Sequence, residues 1–421
     1  MMEKLAIEGG TPVRTKPFPT AMLGASQIGE EELALLKEVV EAKSPFRFYG
    51  IGTPDKVATL EERCAKWLGT KYALAVSSGS SALLSAVAAA GLGPGDEVII
   101  PSFAWYTDYC VLVSLGITPV FADIGADLNM DPADFERKIT PKTKAVIPVH
   151  YQGHPVEIED IVRIAKEHDL LVIEDIAQAL GCTYHGKKVG TFGDMAIVSF
   201  QTHKLITSGE GGMFFTNNEK FYARAVRYHD LGSLRPFFLE RLEDKSLADM
   251  TYSFPGLQLR MSELQGAFLL AQLGKLDRIL ATCRKYHERI RKHFEGNPNF
   301  SIRYKEGDCG IAFIMLMPTK EIAERFTKAV VAEGIPCGPT SFCCNLTADY
   351  RIYSKAMVNP NMPPFGPGFD GENVVYDASK DCLHTDDYVS RFVAVGIGPS
   401  YQDEDVEDII KTLDKVIASI F

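Results

Sequence analysis

The chain has 421 residues, 46% of them hydrophobic, enough to bury more than one compact core, so two domains are the default expectation. Its 44 basic against 55 acidic residues leave a net charge of -11, the wrong sign for a protein that neutralises phosphates along a nucleic acid. Nine cysteines without a Cys-x-x-Cys pair suggest neither a zinc cage nor a disulfide framework, no apolar run reaches bilayer length, and Met1–Gly10 carries charge and glycine where a secretory signal has an apolar core, so a cytosolic protein is expected.

In chain order, Ile28 to Lys43 sets Leu33, Leu36, Val39 and Val40 on one helical face with glutamates opposite, and Ser44-Pro45 ends it. From Tyr72 the pattern changes to short β-branched runs alternating with helical stretches: Tyr72–Ser77, Glu97–Ile100, Pro119–Ala122, Lys144–Val149, Leu171–Ile173 and Ala196–Phe200. This alternation predicts an α/β fold with a mixed, mostly parallel sheet covered on both faces. After Gly256 a helical pattern rich in Leu, Lys and Arg runs from about Ser262 to Phe294, and a domain boundary is expected inside it. The expected division is a large domain over residues 1–275, with an N-terminal arm, and a small α+β domain over 276–421. The latter mixes a strand at Gly310–Met317 with helices at Glu321–Glu333 and Asp403–Ile420, while Asn359–Gly371, rich in Pro, Gly and Asn, reads as a surface loop.

Three segments carry candidate chemistry. Val76-Ser77-Ser78-Gly79-Ser80-Ser81-Ala82 sits where a strand ends and a helix begins, so small residues and free N–H groups converge on a helix N-terminus; such a turn cradles a phosphate, although a plain serine-rich cap has the same look. Leu171 to Gln178 ends an apolar strand in Glu174 and Asp175, at the edge where open α/β sheets bind ligands. Ser199 to Gly212 leaves a strand with a serine, presents Lys204 and then enters glycines; a lysine kept near apolar neighbours can form a Schiff base, whereas most single lysines are simply solvated. Gly91-Leu92-Gly93-Pro94-Gly95 follows a helix and precedes a strand, the reverse of a dinucleotide fingerprint, and Gly209 to Gly212 likewise precedes a strand, so a nicotinamide site is not supported.

Together, Ser78-Gly79-Ser80-Ser81-Ala82-Leu83, Pro101-Ser102-Phe103-Ala104-Trp105, Glu174-Asp175 with Gln178, Ser199 to Gly212 and Arg260-Met261-Ser262-Glu263 resemble the DegT/StrS sugar aminotransferases, of aspartate-aminotransferase fold. The likeness runs from about Glu8 to Leu273. It implies a pyridoxal 5'-phosphate enzyme that transfers an amino group from glutamate or glutamine to a keto-sugar, aminocyclitol precursor or similar polyol ketone. It further implies that Lys204 bonds the cofactor and then moves the proton, that Asp175 pairs with the ring nitrogen, and that Trp105 stacks on the ring. Gln178 would contact the phenolic oxygen, and Gly79, Ser80 and Ser199 would hold the phosphate.

Two departures stand out. Many members carry Asn two residues before Arg-Met, reaching the neighbouring subunit's phosphate in a homodimer; here Gln258 stands there. Nucleotide-sugar members often carry a His-rich, Pro-rich segment in the small domain where this chain has Phe342-Cys343-Cys344-Asn345-Leu346, which places a nucleotide-sugar substrate in doubt. Adjacent Cys343 and Cys344 read as ordinary buried thiols. His150 and Tyr49-Gly50 are read either as lining the acceptor side or as a core histidine and a turn. Relatives that dehydrate sugars have a histidine in place of the lysine, and a non-catalytic member would be expected to lack Lys204 or Asp175.

Overall fold

The computed structural model describes residues 3–339, 344–345 and 348–421. Its main sheet has seven strands: β1 (Tyr72–Val76), β2 (Glu97–Pro101), β3 (Thr118–Ala122), β4 (Thr143–Val146), β5 (Leu171–Asp175), β6 (Met195–Ser199) and β7 (Gly212–Thr216). Their spatial order is β1-β7-β6-β5-β4-β2-β3. The pairs β2–β3, β2–β4, β4–β5 and β5–β6 are parallel, and β7 alone runs against its neighbours β6 and β1. Side chains alternate between two cores. Ala73 and Ala75 of β1 face one, while Tyr72, Leu74 and Val76 face the other, the period of two that a strand requires.

Helices α1 (Glu30–Ala42), α2 (Lys56–Leu68), α3 (Gly79–Ala90), α4 (Thr107–Ser114), α5 (Ile158–Glu167), α6 (Glu219–His229) and α7 (Glu263–Leu273) surround this sheet. Val57 and Leu60 of α2, Ile158 and Ile161 of α5 and Leu269 of α7 fill the first core; Leu83 of α3, Leu112 of α4 and Val226 of α6 fill the second. A three-stranded antiparallel sheet follows, β8 (Ser301–Arg303), β9 (Ala312–Leu316) and β10 (Phe392–Gly396), in that order. It is packed by α8 (Leu276–Phe294), α9 (Lys320–Ala332) and α10 (Asp403–Ile420), whose Ile290, Phe326 and Leu413 continue the first core. Among the described residues no helix is long and apolar enough to cross a membrane.

Two elements differ from the sequence expectation. β4 stops at Val146 rather than Val149 because Pro148 has no N–H for the ladder; only Val149 bridges onward, to Asp175. The pattern from Ser262 to Phe294 is two helices, and Gly274 closes the first by donating to the Ala271 carbonyl. The N-terminal arm lies on the far layer of the molecule: Glu333 accepts the Ala6 and Val13 N–H groups at 2.8 and 2.9 Å, and Arg14 bonds Asp405 and Asp408 of α10 at 2.8 Å each. In the opposite direction, the 376–385 segment returns to the main sheet, Tyr376 donating to Pro119 O and Thr385 to Asp123.

The junction of α7 and α8 is fixed by charge. Lys275 bonds both oxygens of Glu32 on α1 at 2.7 and 2.8 Å, with side chains 7% and 1% exposed, and Gln272 donates to the same carboxylate at 2.8 Å. The Gln272 carbonyl in turn accepts the Thr207 N–H, three residues beyond Lys204. Burial pushes the Glu32 carboxyl up, but Lys275, the Gly29 N–H and Gln272 outweigh it and hold Glu32 below its ordinary range. Removing the ammonium leaves a buried carboxylate unpaired, so Lys275→Ala is expected to lower stability by about 3 kcal/mol at neutral pH in urea unfolding. Because a carboxyl with a lowered folded pKa stabilises above its unfolded value, the gap between wild type and variant should narrow as pH falls through the acid range.

Candidate active site

The carboxyl ends of β1, β5 and β6 lie along one edge of the sheet, and the segment leaving each of these strands builds one part of the site. At β1 the chain turns through Ser77 and Ser78 into α3, where Ser78 is the N-cap and accepts the Ser81 N–H at 3.0 Å. The Gly79 and Ser80 N–H groups lie in the first turn, outside the ladder of the helix, at the positive end of its dipole. Register brings the neighbours close: Val76 faces Gly212 on β7, and Gly212 faces Ser199 on β6. A Cβ at position 79 would stand 2.7 Å from Ser199 Cβ, and one at 212 would stand 2.2 Å from the Ser78 carbonyl oxygen. Only glycine fits either place, and the result is a concave set of N–H and hydroxyl groups suited to a phosphate. Ser80 Oγ also meets Thr107 Oγ at 3.2 Å, tying this turn to α4.

At the end of β5 the two acidic residues point opposite ways. Glu174 faces inward and accepts the N–H groups of Gly190, Phe192 and Gly193 at 2.7 Å each, with His150 Nε2 3.2 Å away. His150 Nδ1 accepts the Val156 N–H, so the imidazole is wholly buried and fully used. It is the core histidine of the two alternatives, not an acceptor-lining group. Asp175 faces the edge, its Oδ1 accepting the Ala177 N–H at 2.7 Å, with the Lys204 charge nearby. Lys204 itself is half-buried, its N–H bonded to Gln201 O and its carbonyl accepting the Gly24 N–H. Gln178 sits one turn on and accepts the Gln152 N–H at 3.0 Å.

Trp105 is 42% exposed, tilted against Tyr106 with ring centroids 5.5 Å apart. Just before it, the backbone of Phe103–Ala104 pairs antiparallel with Cys344–Asn345, which brings backbone from beyond α9 to this edge. Phe342, Cys343 and Leu346 lie outside the described residues, as do the side chains of Cys344 and Asn345. Tyr49 is exposed, and its neighbour Gly50 is pressed against Ser44, a tight turn. Gln258 is exposed and bridges Asp230; beside it Leu259 O accepts the Ser77 N–H at 2.8 Å, so its strand borders the phosphate-type turn.

Asp108, in the first turn of α4, was not singled out by sequence. It is wholly buried next to the Asp175 carboxyl and within the field of Lys204, and neither of its oxygens meets a donor among the described residues. Burial, then the neighbouring Asp175, push its carboxyl well above the ordinary carboxylate range. An aspartate in a first helical turn is ordinarily a capping acid, which hides it from sequence reading; its spacing of three from Trp105 is the only signal the chain offers. A cavity of about 470 Å³ lined by Asp127, His154, Arg303 and Lys305 lies elsewhere and holds none of the residues above.

An amine, a carboxylate and an anion cradle on one edge of an α/β sheet define the class of enzymes that use a phosphorylated aldehyde cofactor. Residues 26–351 match the DegT/DnrJ/EryC1/StrS aminotransferase family, and the chain belongs to it: it is a pyridoxal-phosphate-dependent aminotransferase. It is 29% identical over 392 residues, 93% of the chain and 95% of the relative, to the spore coat polysaccharide biosynthesis protein SpsC of Bacillus subtilis. It is also 40% identical over 228 residues to the GDP-perosamine synthase of Caulobacter vibrioides, a match covering 53% of this chain and 58% of that one. Among solved structures, an aminotransferase from Psychrobacter cryohalolentis shares the fold with a TM-score of 0.78 at 23% identity, over 97% of this chain and all of the other.

The crowding at Gly79 yields a direct test. Gly79→Ala must displace Ser199 and is expected to weaken cofactor retention about tenfold relative to wild type, a loss of about 1.4 kcal/mol. Equilibrium dialysis against pyridoxal phosphate measures both; equal affinities for wild type and Gly79→Ala would show that the turn does not hold the phosphate.

Proposed function

We propose that this aminotransferase moves an amino group from glutamate or glutamine to the carbonyl carbon of a keto-sugar, cyclitol precursor or similar polyol ketone. The observation that carries this reading is the convergence of Lys204, Asp175 and the Gly79 turn on one sheet edge, in a chain of this family. The perosamine and spore-coat polysaccharide names of its relatives support a sugar acceptor. The crowded glycines at 79 and 212 fit a phosphate against bare backbone, and the carboxylate and amine suit the rest of the cofactor.

Bound there, pyridoxal phosphate supplies a conjugated ring that takes up the electron pair left when the substrate carbon loses its proton. The chain supplies the rest. Lys204 would hold the cofactor and would carry the proton between the two carbons. Asp175 would keep the ring nitrogen protonated, Trp105 would cover the ring, and Gln178 would meet the phenolic oxygen. Gly79, Ser80 and Ser199 hold the phosphate, and Gln258 reaches across from a second copy of the chain.

A homodimer accounts for the surface around Gln258. Leu257 beside Gln258 and Leu231, whose N–H bonds Leu257 O, are large apolar side chains left exposed there, a pair that a second copy would remove from water. The division into domains at 1–275 and 276–421 falls where Gly274 separates α7 from α8. The seven cysteines whose side chains are described are free thiols, which suits the cytoplasm. A dehydratase reading is not favoured, since Lys204 stands where that chemistry has histidine.

Lys204→Ala should abolish transamination without unfolding the protein, scored by keto-acid formation from glutamate or glutamine over a set of keto-sugar acceptors; near-wild-type turnover would remove Lys204 from the reaction. Gln258→Ala should weaken cofactor retention by about 1 kcal/mol, the order of one hydrogen bond to a charged group. Sedimentation of wild type as a fully active monomer would eliminate the contribution from the second copy.

A further inference from the structure

Asp108 and Asp175 are two buried carboxyl groups near enough to act on each other's charge, and their surroundings are unequal. Asp175 accepts the Ala177 N–H at 2.7 Å, a bond that favours its anion. Asp108 is 0% exposed and, among the described residues, accepts no hydrogen bond at either oxygen, so an anion there would have no donor to replace its water. Two carboxyls this close cannot both ionise in a dry site, so one proton belongs to the pair. It rests on the member without donors.

We propose that Asp108 is a positioning residue for Asp175: as a neutral acid it donates its proton to the Asp175 carboxylate and fixes which oxygen of Asp175 remains for the cofactor's ring. The inference rests on the reading of Asp175 given above and deepens it. Asp175 is then gripped from two sides, by the Ala177 N–H of its own chain segment and by the Asp108 hydroxyl of α4. The Ser80–Thr107 contact joins α4 to the phosphate turn, so ring and phosphate anchors share one rigid piece of structure.

The charged neighbours are few. Asp175 faces Asp108 from β5 and Lys204 from the loop after β6, with His150 behind Asp175 and Cys110 further along α4. Helix α3 has no titratable residue from Gly79 to Ala90, β3 has none, and on β2 Glu97 lies at the opposite end. A carboxyl that keeps its proton in the fold and loses it on unfolding makes stability fall as pH rises above about 4.

The test uses the full chain. With cofactor removed, urea unfolding of wild type and Asp108→Asn is compared from pH 5 to 7. The ratio of their unfolding constants should change by up to tenfold per pH unit, wild type losing ground as pH rises. A constant ratio would mean that Asp108 is ionised in the fold and would overturn the proposal. With cofactor bound, Asp108→Leu, which has no donor, should lower turnover at least tenfold, and Asp108→Asn, whose amide can donate to Asp175, should recover most of that loss. Equal losses for Asn and Leu, with Asp175→Asn also impaired, would overturn the positioning role alone. Wild-type turnover by Asp175→Asn would overturn the reading of Asp175 and this proposal with it. Should the Leu variant not fold, the pH comparison on the isosteric Asn variant still decides the protonation state.

Discussion

The site depends on the approach of three strands to within backbone contact at one point of the sheet edge. β7 runs against β1 and β6, so Val76, Gly212 and Ser199 lie in one row across the ladder. A side chain at 212 would overlap the Ser78 carbonyl and one at 79 would overlap Ser199. The absence of both side chains lets the turn after β1 close onto the end of β6. The start of α3 and the serine that leads to Lys204 therefore occupy one small volume, and a shift of the reversed strand would separate the phosphate-type cradle from the amine.

Burial then gives the acidic residues different work. Glu174 and Asp175 are adjacent on β5, so the pleat sends them to opposite sides. Glu174 is consumed by three N–H groups of the 190–193 turn and by His150, and it fixes the fold under the edge. Asp175 accepts the Ala177 N–H and lies within reach of the charges of Asp108 and Lys204. The same logic holds at a distance: Glu32 is buried against Lys275 and Gln272, and Gln272 holds the Thr207 N–H, so a buried ion pair on α1 braces the loop that carries Lys204. Such pairs place neighbouring elements more than they add stability.

The two layers of the molecule are stitched in both directions. The N-terminal arm bonds Glu333 and α10, while the 376–385 segment bonds the strand edge at Pro119 and Asp123. The pairing of Cys344–Asn345 with Phe103–Ala104 belongs to the same return, and it sets backbone from beyond α9 beside Trp105.

The strand and helix order was legible along the chain because each buried strand is a short β-branched run and each turn beside it is written in small residues. Six of the seven main strands, the helix that ends at Ala42 and the helix start near Ser262 all follow from that local chemistry. The motif residues at 79, 175, 199 and 204 could be named for the same reason, since Asp175 and Ser199 end strands and Gly79 and Lys204 stand three and five residues beyond a strand end. The reversed direction of β7, the burial of His150 and the approach of Asp108 to Asp175 could not be read this way. They depend on which elements lie beside which, a property of pairings between residues up to 144 positions apart, and hydrophobic periodicity carries no record of such a neighbour.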